Sequence, residues 1–150
     1  MEDLRLRPAT VADDEFLYDL HRRTLGAAIE ATWGPWDDDE QRRYHHDWFT
    51  KTVGTVEIVL VGGQPAGMIQ AALEDVATFY VSRIEIAPEV QDRGVGTTLL
   101  RRLADRAREA GASAVELHVL QLNRARDLYE RLGFEVVAEE PPKVRMRLTL

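Results

Sequence analysis

Cysteine is absent from this chain. That removes disulfides, thiolate metal ligands and a cysteine nucleophile together. Long apolar runs are absent too: none approaches about 18 residues, so the sequence offers no membrane-crossing helix. The start, MEDLRLRP, is charged from its second residue and does not read as a secretory leader. A cytoplasmic protein is therefore expected. Lysine is scarce: of 19 basic residues, all but Lys51 and Lys143 are arginine. Arginine is the better fork for phosphate, although genomic base composition accounts for the same bias. The 26 acidic residues outnumber the basic ones and leave a net charge of −7. Such a balance argues against general nucleic-acid binding, which depends on neutralising phosphates. It suits small ligands, cationic ones included. What is present, 150 residues that are 45% hydrophobic and 30% charged, is enough for one self-sufficient core. A single domain over 1–150 is expected.

Periodicity and turn chemistry lay out the elements. Leu4 to Arg7 alternates apolar and polar residues, a short strand ended by Pro8. Thr10 reads as an N-cap with Asp13 and Asp14 in the first turn. Phe16, Leu17, Leu20 and Leu25 follow at helical spacing, giving a first helix to about residue 25. Residues 26–36 read as irregular, with a turn at Gly34–Pro35. Asp37 to Asp39 cap a second helix reaching about Phe49. Strands are expected over Thr55 to Val61 and Pro65 to Leu73, joined by a Gly62-Gly63 hairpin, and over Phe79 to Ala87, stopped by Pro88. Val95, Leu99, Leu100, Leu103 and Ala107 form the stripe of a third helix, with Gly111 as its C-terminal cap. Then come a strand over Ala114 to Leu120, a short helix over 124–132 closed by Gly133, and strands over Phe134 to Ala138 and Val144 to Leu150. The order β-α-α-β-β-β-α-β-α-β-β predicts an α/β fold with a mixed sheet of about seven strands and four helices.

The stretch Gln91-Asp92-Arg93-Gly94-Val95-Gly96-Thr97 carries the chemistry. It follows a strand and opens the long third helix. A helix N-terminus presents N–H groups without intrahelical acceptors and a partial positive charge, so it suits an anion. Gly94 and Gly96 remove side chains where backbone would approach a phosphate. No Walker lysine follows, and the third glycine of the dinucleotide fingerprint is missing. Such a loop would hold a pyrophosphate by backbone alone, or would be a plain glycine-containing turn.

Ile84-Glu85-Ile86-Ala87-Pro88-Glu89-Val90-Gln91-Asp92-Arg93-Gly94-Val95-Gly96 resembles motif A of the GCN5-related N-acetyltransferase (GNAT) superfamily, with its Q/R-x-x-G-x-G/A core. Ala125 to Phe134, with Leu128-Tyr129 ahead of Gly133-Phe134, resembles that family's second signature. The resemblance covers essentially the whole chain. It implies a mostly antiparallel sheet and acetyl-coenzyme A as cosubstrate, with an acetyl group moving directly to a primary amine of a small molecule or peptide. It assigns the cofactor to Ile84 and Ile86 on the strand, to Gln91, Arg93, Gly94, Val95, Gly96 and Thr97, and to Asn123 and Arg126. Pantetheine would lie between the Ile84 to Ala87 strand and the Ala114 to Leu120 strand. The N–H of Ile86 would polarise the acetyl carbonyl. Tyr129 would protonate the departing sulfur. His118, Glu85 or an ordered water would take the amine proton. Asn123 stands six residues before Tyr129, where relatives often have seven, so it either reaches the cofactor through an altered loop or caps the helix.

For the acceptor, Glu30, Trp33, Trp36 and Asp37 are conspicuous. Two tryptophans beside carboxylates suit a cationic amine, and they equally suit the packing of a helix corner. Arg42 and Arg43 either are surface charge or meet an acceptor carboxylate. His45 and His46 are adjacent, so they point to different helix faces, and no metal is expected. No nucleic-acid or membrane partner is expected, and a homodimer is compatible with the resemblance. A coenzyme A-binding sensor without turnover, a different acyl donor and a hydroxyl acceptor stand as alternatives.

Overall fold

The computed structural model describes residues 3–150. Its elements are β1 (Leu4–Pro8), α1 (Asp14–Trp33), α2 (Asp38–Thr52), β2 (Glu57–Val61), β3 (Gln64–Leu73), β4 (Thr78–Ile86), α3 (Val95–Glu109), β5 (Ala114–Leu120), α4 (Ala125–Arg131), β6 (Glu135–Glu140) and β7 (Lys143–Thr149). Short 3-10 turns lie at Val11–Asp13, Val53–Thr55 and Pro88–Val90. The strands form one seven-stranded sheet in the order β1-β2-β3-β4-β5-β7-β6. It is mostly antiparallel, and β4 and β5 run parallel. A parallel pair needs a crossover, and α3 supplies it. Among the described residues, no helix is long and apolar enough to cross a membrane.

The chain divides into two compact units. The first comprises the described part of Met1–Gln70 together with Arg83–Val90. Its core is built from Leu17 and Leu20 of α1, Ile58 of β2, and Met68 and Ile69 of β3, all nearly inaccessible to solvent. Burying each such side chain is worth about 1.5–3 kcal/mol. The β2–β3 turn uses Gly62 and Gly63 at φ 59° and 80°, the left-handed pair that a two-residue hairpin demands. Behind β1, Arg7 makes two 2.9 Å bonds to the Asp13 carboxylate. Thr10 N–H donates to that carboxylate at 2.8 Å. These bonds, Arg7 foremost, hold the Asp13 carboxyl below its ordinary value against the opposing effect of burial.

The second unit comprises Ala71–Ser82 and Gln91–Leu150. Leu99, Leu103 and Ala107 of α3 are buried, as are Val115 and Leu117 of β5 and Met146 of β7. The pairing of β4 with β5 runs from Thr78↔Ala114 to Val81↔Leu117. Gly111 closes α3 at φ 86°, a conformation that costs an L side chain but not glycine.

The order of elements is the expected one, and β5 has the expected bounds. Residues 26–36 are the correction. They are not irregular: α1 continues through Trp33, and Gly34 ends it with its N–H bonded to Glu30 O at 2.8 Å. Gly26 weakens a helix by about 1 kcal/mol, but Ala27, Ala28, Ile29 and Ala31 favour it, and Ala28 and Ile29 extend the buried stripe. The second helix is likewise longer, to Thr52, and β2 starts at Glu57 because Val53–Thr55 forms a 3-10 turn. The last two strands are Glu135–Glu140 and Lys143–Thr149, shifted slightly from the expected spans.

Candidate active site

In the second unit, Gly94 is the N-cap of α3 in the left-handed conformation, φ 78°. The first i to i+4 bond of the helix is Thr98 N–H to Gly94 O, at 3.0 Å. The amides of Val95, Gly96 and Thr97 lie ahead of it, and Gly94 has no side chain with which to cap them. Asp92 is also left-handed, φ 61°, so the loop turns twice within three residues. No acidic side chain occupies the first turn of α3, which leaves the helix dipole uncompensated there. These features fit a backbone cradle for a pyrophosphate. Gly96 has a further duty: a Cβ there would lie 2.9 Å from Leu128 Cδ2 of α4. Gln91 and Arg93 are exposed, and Thr97 and Arg126 are partly buried. Arg126 Nε donates to Glu130 at 3.0 Å.

Tyr129 lies on α4 and is only 6% exposed. Its ring tilts against Phe134 at 5.8 Å between centroids, and Phe134 N–H returns to Tyr129 O at 3.0 Å. The Tyr-x-x-x-Gly-Phe spacing is thus a helix end folded back on itself. Asn123 Oδ1 accepts from Ala125 N–H at 2.9 Å, so of the two roles open to it the helix-start bond is present.

His118 sits on β5 with both ring nitrogens engaged. Nδ1 meets the Tyr80 hydroxyl at 2.5 Å and Nε2 meets Glu140 Oε2 at 3.0 Å. With the ring proton on Nε2, the tyrosine donates to Nδ1 and the imidazole donates to the carboxylate, and no lone pair is left over. Burial raises the Tyr80 phenol above its usual range, and Glu74 and Glu140 add to this.

In the first unit, Glu85 is 4% exposed on β4. His21 Nδ1 of α1 donates to Glu85 Oε2 at 2.7 Å. Oε1 is buried and has no hydrogen-bond partner among the described residues. The strand beside it is seated by glycine: a Cβ at Gly67 would come within 2.5 Å of the Glu85 carbonyl oxygen and 3.1 Å of Ile86 Cδ1. Ala87 N–H donates to Ala66 O at 2.8 Å, which continues that contact. Ile84 and Ile86 are half-buried on β4. Arg83, two residues before Glu85, stacks its guanidinium over Trp48 at 3.9 Å. Burial lowers its pKa from the ordinary arginine value, with Glu85 acting in the opposite sense.

The four acceptor candidates separate. Glu30 Oε1 accepts from the Trp36 N–H at 3.2 Å, and Asp37 caps α2 through Glu40 N–H at 3.0 Å. Both carboxylates therefore fasten the α1–α2 turn. Trp36 packs toward Tyr18 and His21 and carries Arg22 over its ring at 5.4 Å. Trp33 is 62% exposed and lines, with Asp37 and Tyr44, an open cavity of about 440 Å³. Arg42 lies 4.1 Å over the Tyr18 ring and bonds Asp38 and Glu15. His45 is buried against Asp14 at 2.6 Å, and His46 is exposed. Among the described residues, no group of three or more His, Asp or Glu side chains is placed to hold a metal.

Sequence reasoning missed His21, Arg83 and Trp48. The i, i+2 spacing of Arg83 and Glu85 on one strand was the available signal, because two charges on one face of a strand flanked by Val81 and Ala87 need partners.

The profile of the family described as "Acetyltransferase (GNAT) family" matches residues 15–134. The thialysine N-epsilon-acetyltransferase of Bos taurus is 36% identical over 61 residues, 40% of this chain and 36% of that protein. The mycothiol acetyltransferase of Beutenbergia cavernae is 34% identical over 106 residues, 67% of this chain and 34% of that protein. The chain thus matches about a third of the length of these curated relatives. The PaiA N-acetyltransferase of Thermoplasma acidophilum, solved with coenzyme A, superposes with a TM-score of 0.75 at 16% identity, covering 99% of each chain.

Proposed function

Since the chain belongs to the GNAT acetyltransferase family, we propose that it is a single-domain N-acetyltransferase that moves an acetyl group from acetyl-coenzyme A to the primary amine of a small molecule. The observation that carries this reading is the start of α3: left-handed Gly94, which has no side chain to cap with, stands ahead of the Val95, Gly96 and Thr97 amides. These amides hold the pyrophosphate of the cosubstrate, with Gln91 and Arg93 at the mouth of the loop and Arg126 in the first turn of α4. The amide of Ile86 polarises the acetyl carbonyl, and Ile84 lines the pantetheine arm.

Acetyl-coenzyme A supplies a thioester open to direct attack by a neutral amine. Glu85 takes the amine proton, and His21 keeps the carboxylate oriented through Oε2. The C–N bond forms as the C–S bond breaks, and the Tyr129 hydroxyl gives its proton to the sulfur. We assign the base to Glu85 rather than His118 because Oε1 of Glu85 has no partner, while both His118 nitrogens are engaged. The small-molecule acceptor follows the relatives, named for thialysine and mycothiol.

Calorimetric titration with acetyl-coenzyme A, beside Gly96→Trp, tests the reading. Micromolar binding lost in the variant, followed by thiol release with an amine, is expected. Absence of binding to the unmodified protein overturns the cosubstrate. Binding with no transfer to any amine overturns the enzyme in favour of a sensor.

A further inference from the structure

Two opposite charges stand on one face of β4 in the first unit, and neither is fully used. Arg83 and Glu85 are at i and i+2, so their Cα atoms are roughly 6–7 Å apart. The Arg83 guanidinium is half-buried and rests on the Trp48 ring. Among the described residues it makes no hydrogen bond and no ion pair, although a guanidinium carries five donors. Glu85 is closer to full burial, and its Oε1 likewise has no partner. The two are close enough to influence each other, yet they do not form a salt bridge within 4 Å. A buried acceptor left open is costly, and a half-buried guanidinium with no partner among the described residues keeps its donors available, so a ligand of the opposite pattern satisfies both. Trp48 is itself tied down: its Nε1 donates to Gln70 at 3.4 Å, and Gln70 Nε2 donates to Thr55 at 2.8 Å. The ring therefore gives the guanidinium a fixed seat, and a planar guanidinium binds a carboxylate through two parallel bonds.

We propose that Arg83, set on Trp48, and Glu85 form a receptor for a zwitterion, so that the acceptor of this enzyme is an amino acid: its carboxylate is taken by Arg83 and its amine is delivered to Glu85 Oε1. This rests on the transferase reading for the fate of the amine, while recognition of the carboxylate is a matter of Arg83 alone. Oε1 is closed to solvent, so the acceptor is admitted by a side-chain movement. Arg83, held by a ring face and no hydrogen bond, is the group with least to give up. Peptide amino termini, which carry no carboxylate next to the amine, are poor acceptors on this account.

The test is acetyl transfer to each standard amino acid, to β-alanine and γ-aminobutyrate, and to the amide and decarboxylated amine of each, read as thiol release. Alongside it runs calorimetry of the same compounds without acetyl-coenzyme A. The expected result is at least one amino acid preferred over its own amide and amine by about a hundredfold in kcat/KM. Arg83→Gln is expected to bring that ratio to about one, mainly through KM, and Arg83→Lys to retain part of it. The ratio compares compounds on one variant, so a partly unfolded variant does not mimic the result. Amines acetylated with no carboxylate preference overturn the receptor and leave the transferase standing. Failure to bind acetyl-coenzyme A, with amino acids still bound in an Arg83-dependent way, overturns the transferase and leaves the receptor. Neither binding nor transfer of any amino acid overturns the receptor outright.

Discussion

Each unit contains a histidine bound to a carboxylate next to a strand, and the two differ in what they leave over. In the first unit, His21 takes one oxygen of a deeply buried Glu85, and the other oxygen has no partner. In the second, His118 is held from both sides, by Tyr80 and by a half-exposed Glu140. The residue types are nearly the same, and by type alone histidine is the more natural base near neutrality. The difference lies in spare capacity. A group whose lone pairs are all engaged must break a bond before it can accept a proton, whereas a carboxylate oriented through one oxygen can accept on the other. The Tyr80–His118–Glu140 chain is a satisfied polar cluster that links side chains of β4, β5 and β6.

The comparison can be broken in several ways. The largest effect is expected from Glu85→Gln: kcat should fall about a thousandfold while acetyl-coenzyme A affinity stays within about twofold. Thiol-release kinetics beside calorimetry measure both, and retained turnover would move the base elsewhere. Next is a control carboxylate, buried and fully bonded but without a chemical task. Asp13→Asn should cost about 1–2 kcal/mol in urea unfolding, because Arg7, itself partly exposed, loses a charge-assisted partner, with turnover per folded molecule unchanged. The pH dependence has a definite sign. The Asp13 carboxyl is lowered in the folded protein, so its contribution is present above the unfolded value of about 4. It is lost as pH falls through the folded value. The urea midpoint of the unmodified protein should therefore fall in that acid range more steeply than that of the variant.

Tyr129→Phe should lower kcat about a hundredfold with cosubstrate affinity preserved. Equal turnover would remove its general-acid role. The smallest effect is expected from His118→Gln, within about threefold in kcat and with the acidic limb of the pH–rate profile unmoved. A lost limb would show that the second-unit histidine, and not Glu85, collects the proton.

Much of this was readable from local pattern. The β5 bounds, the α3 stripe ending at Gly111 and the Gly62-Gly63 hairpin follow from periodicity and from backbone angles that glycine alone adopts readily. The stretch over 26–36 reads as irregular because a Gly and a Gly-Pro pair outweigh the four helix-compatible residues between them, whereas α1 runs on to Trp33. What decided there was the burial of Ala28 and Ile29, which depends on what lies opposite. Glu30 and Asp37 stood out beside two tryptophans, yet they spend their oxygens on backbone amides at the helix corner. Backbone satisfaction of this kind is invisible until the turn is built.

The sequence by itself determined the order of elements, the glycine-bearing loop at the start of α3 and the position of Tyr129 on a short helix ahead of Gly133-Phe134. All of these depend on residues within a few positions of one another. Tertiary structure alone decided that His21 reaches Glu85, 64 positions further along the chain, that Arg83 lies on Trp48, and that His118 has no nitrogen to spare. Pairings between distant elements are set by helix length, strand register and the close approach that Gly67 permits. None of these leaves a periodic trace in the chain, because each is a property of two surfaces meeting and not of either segment alone.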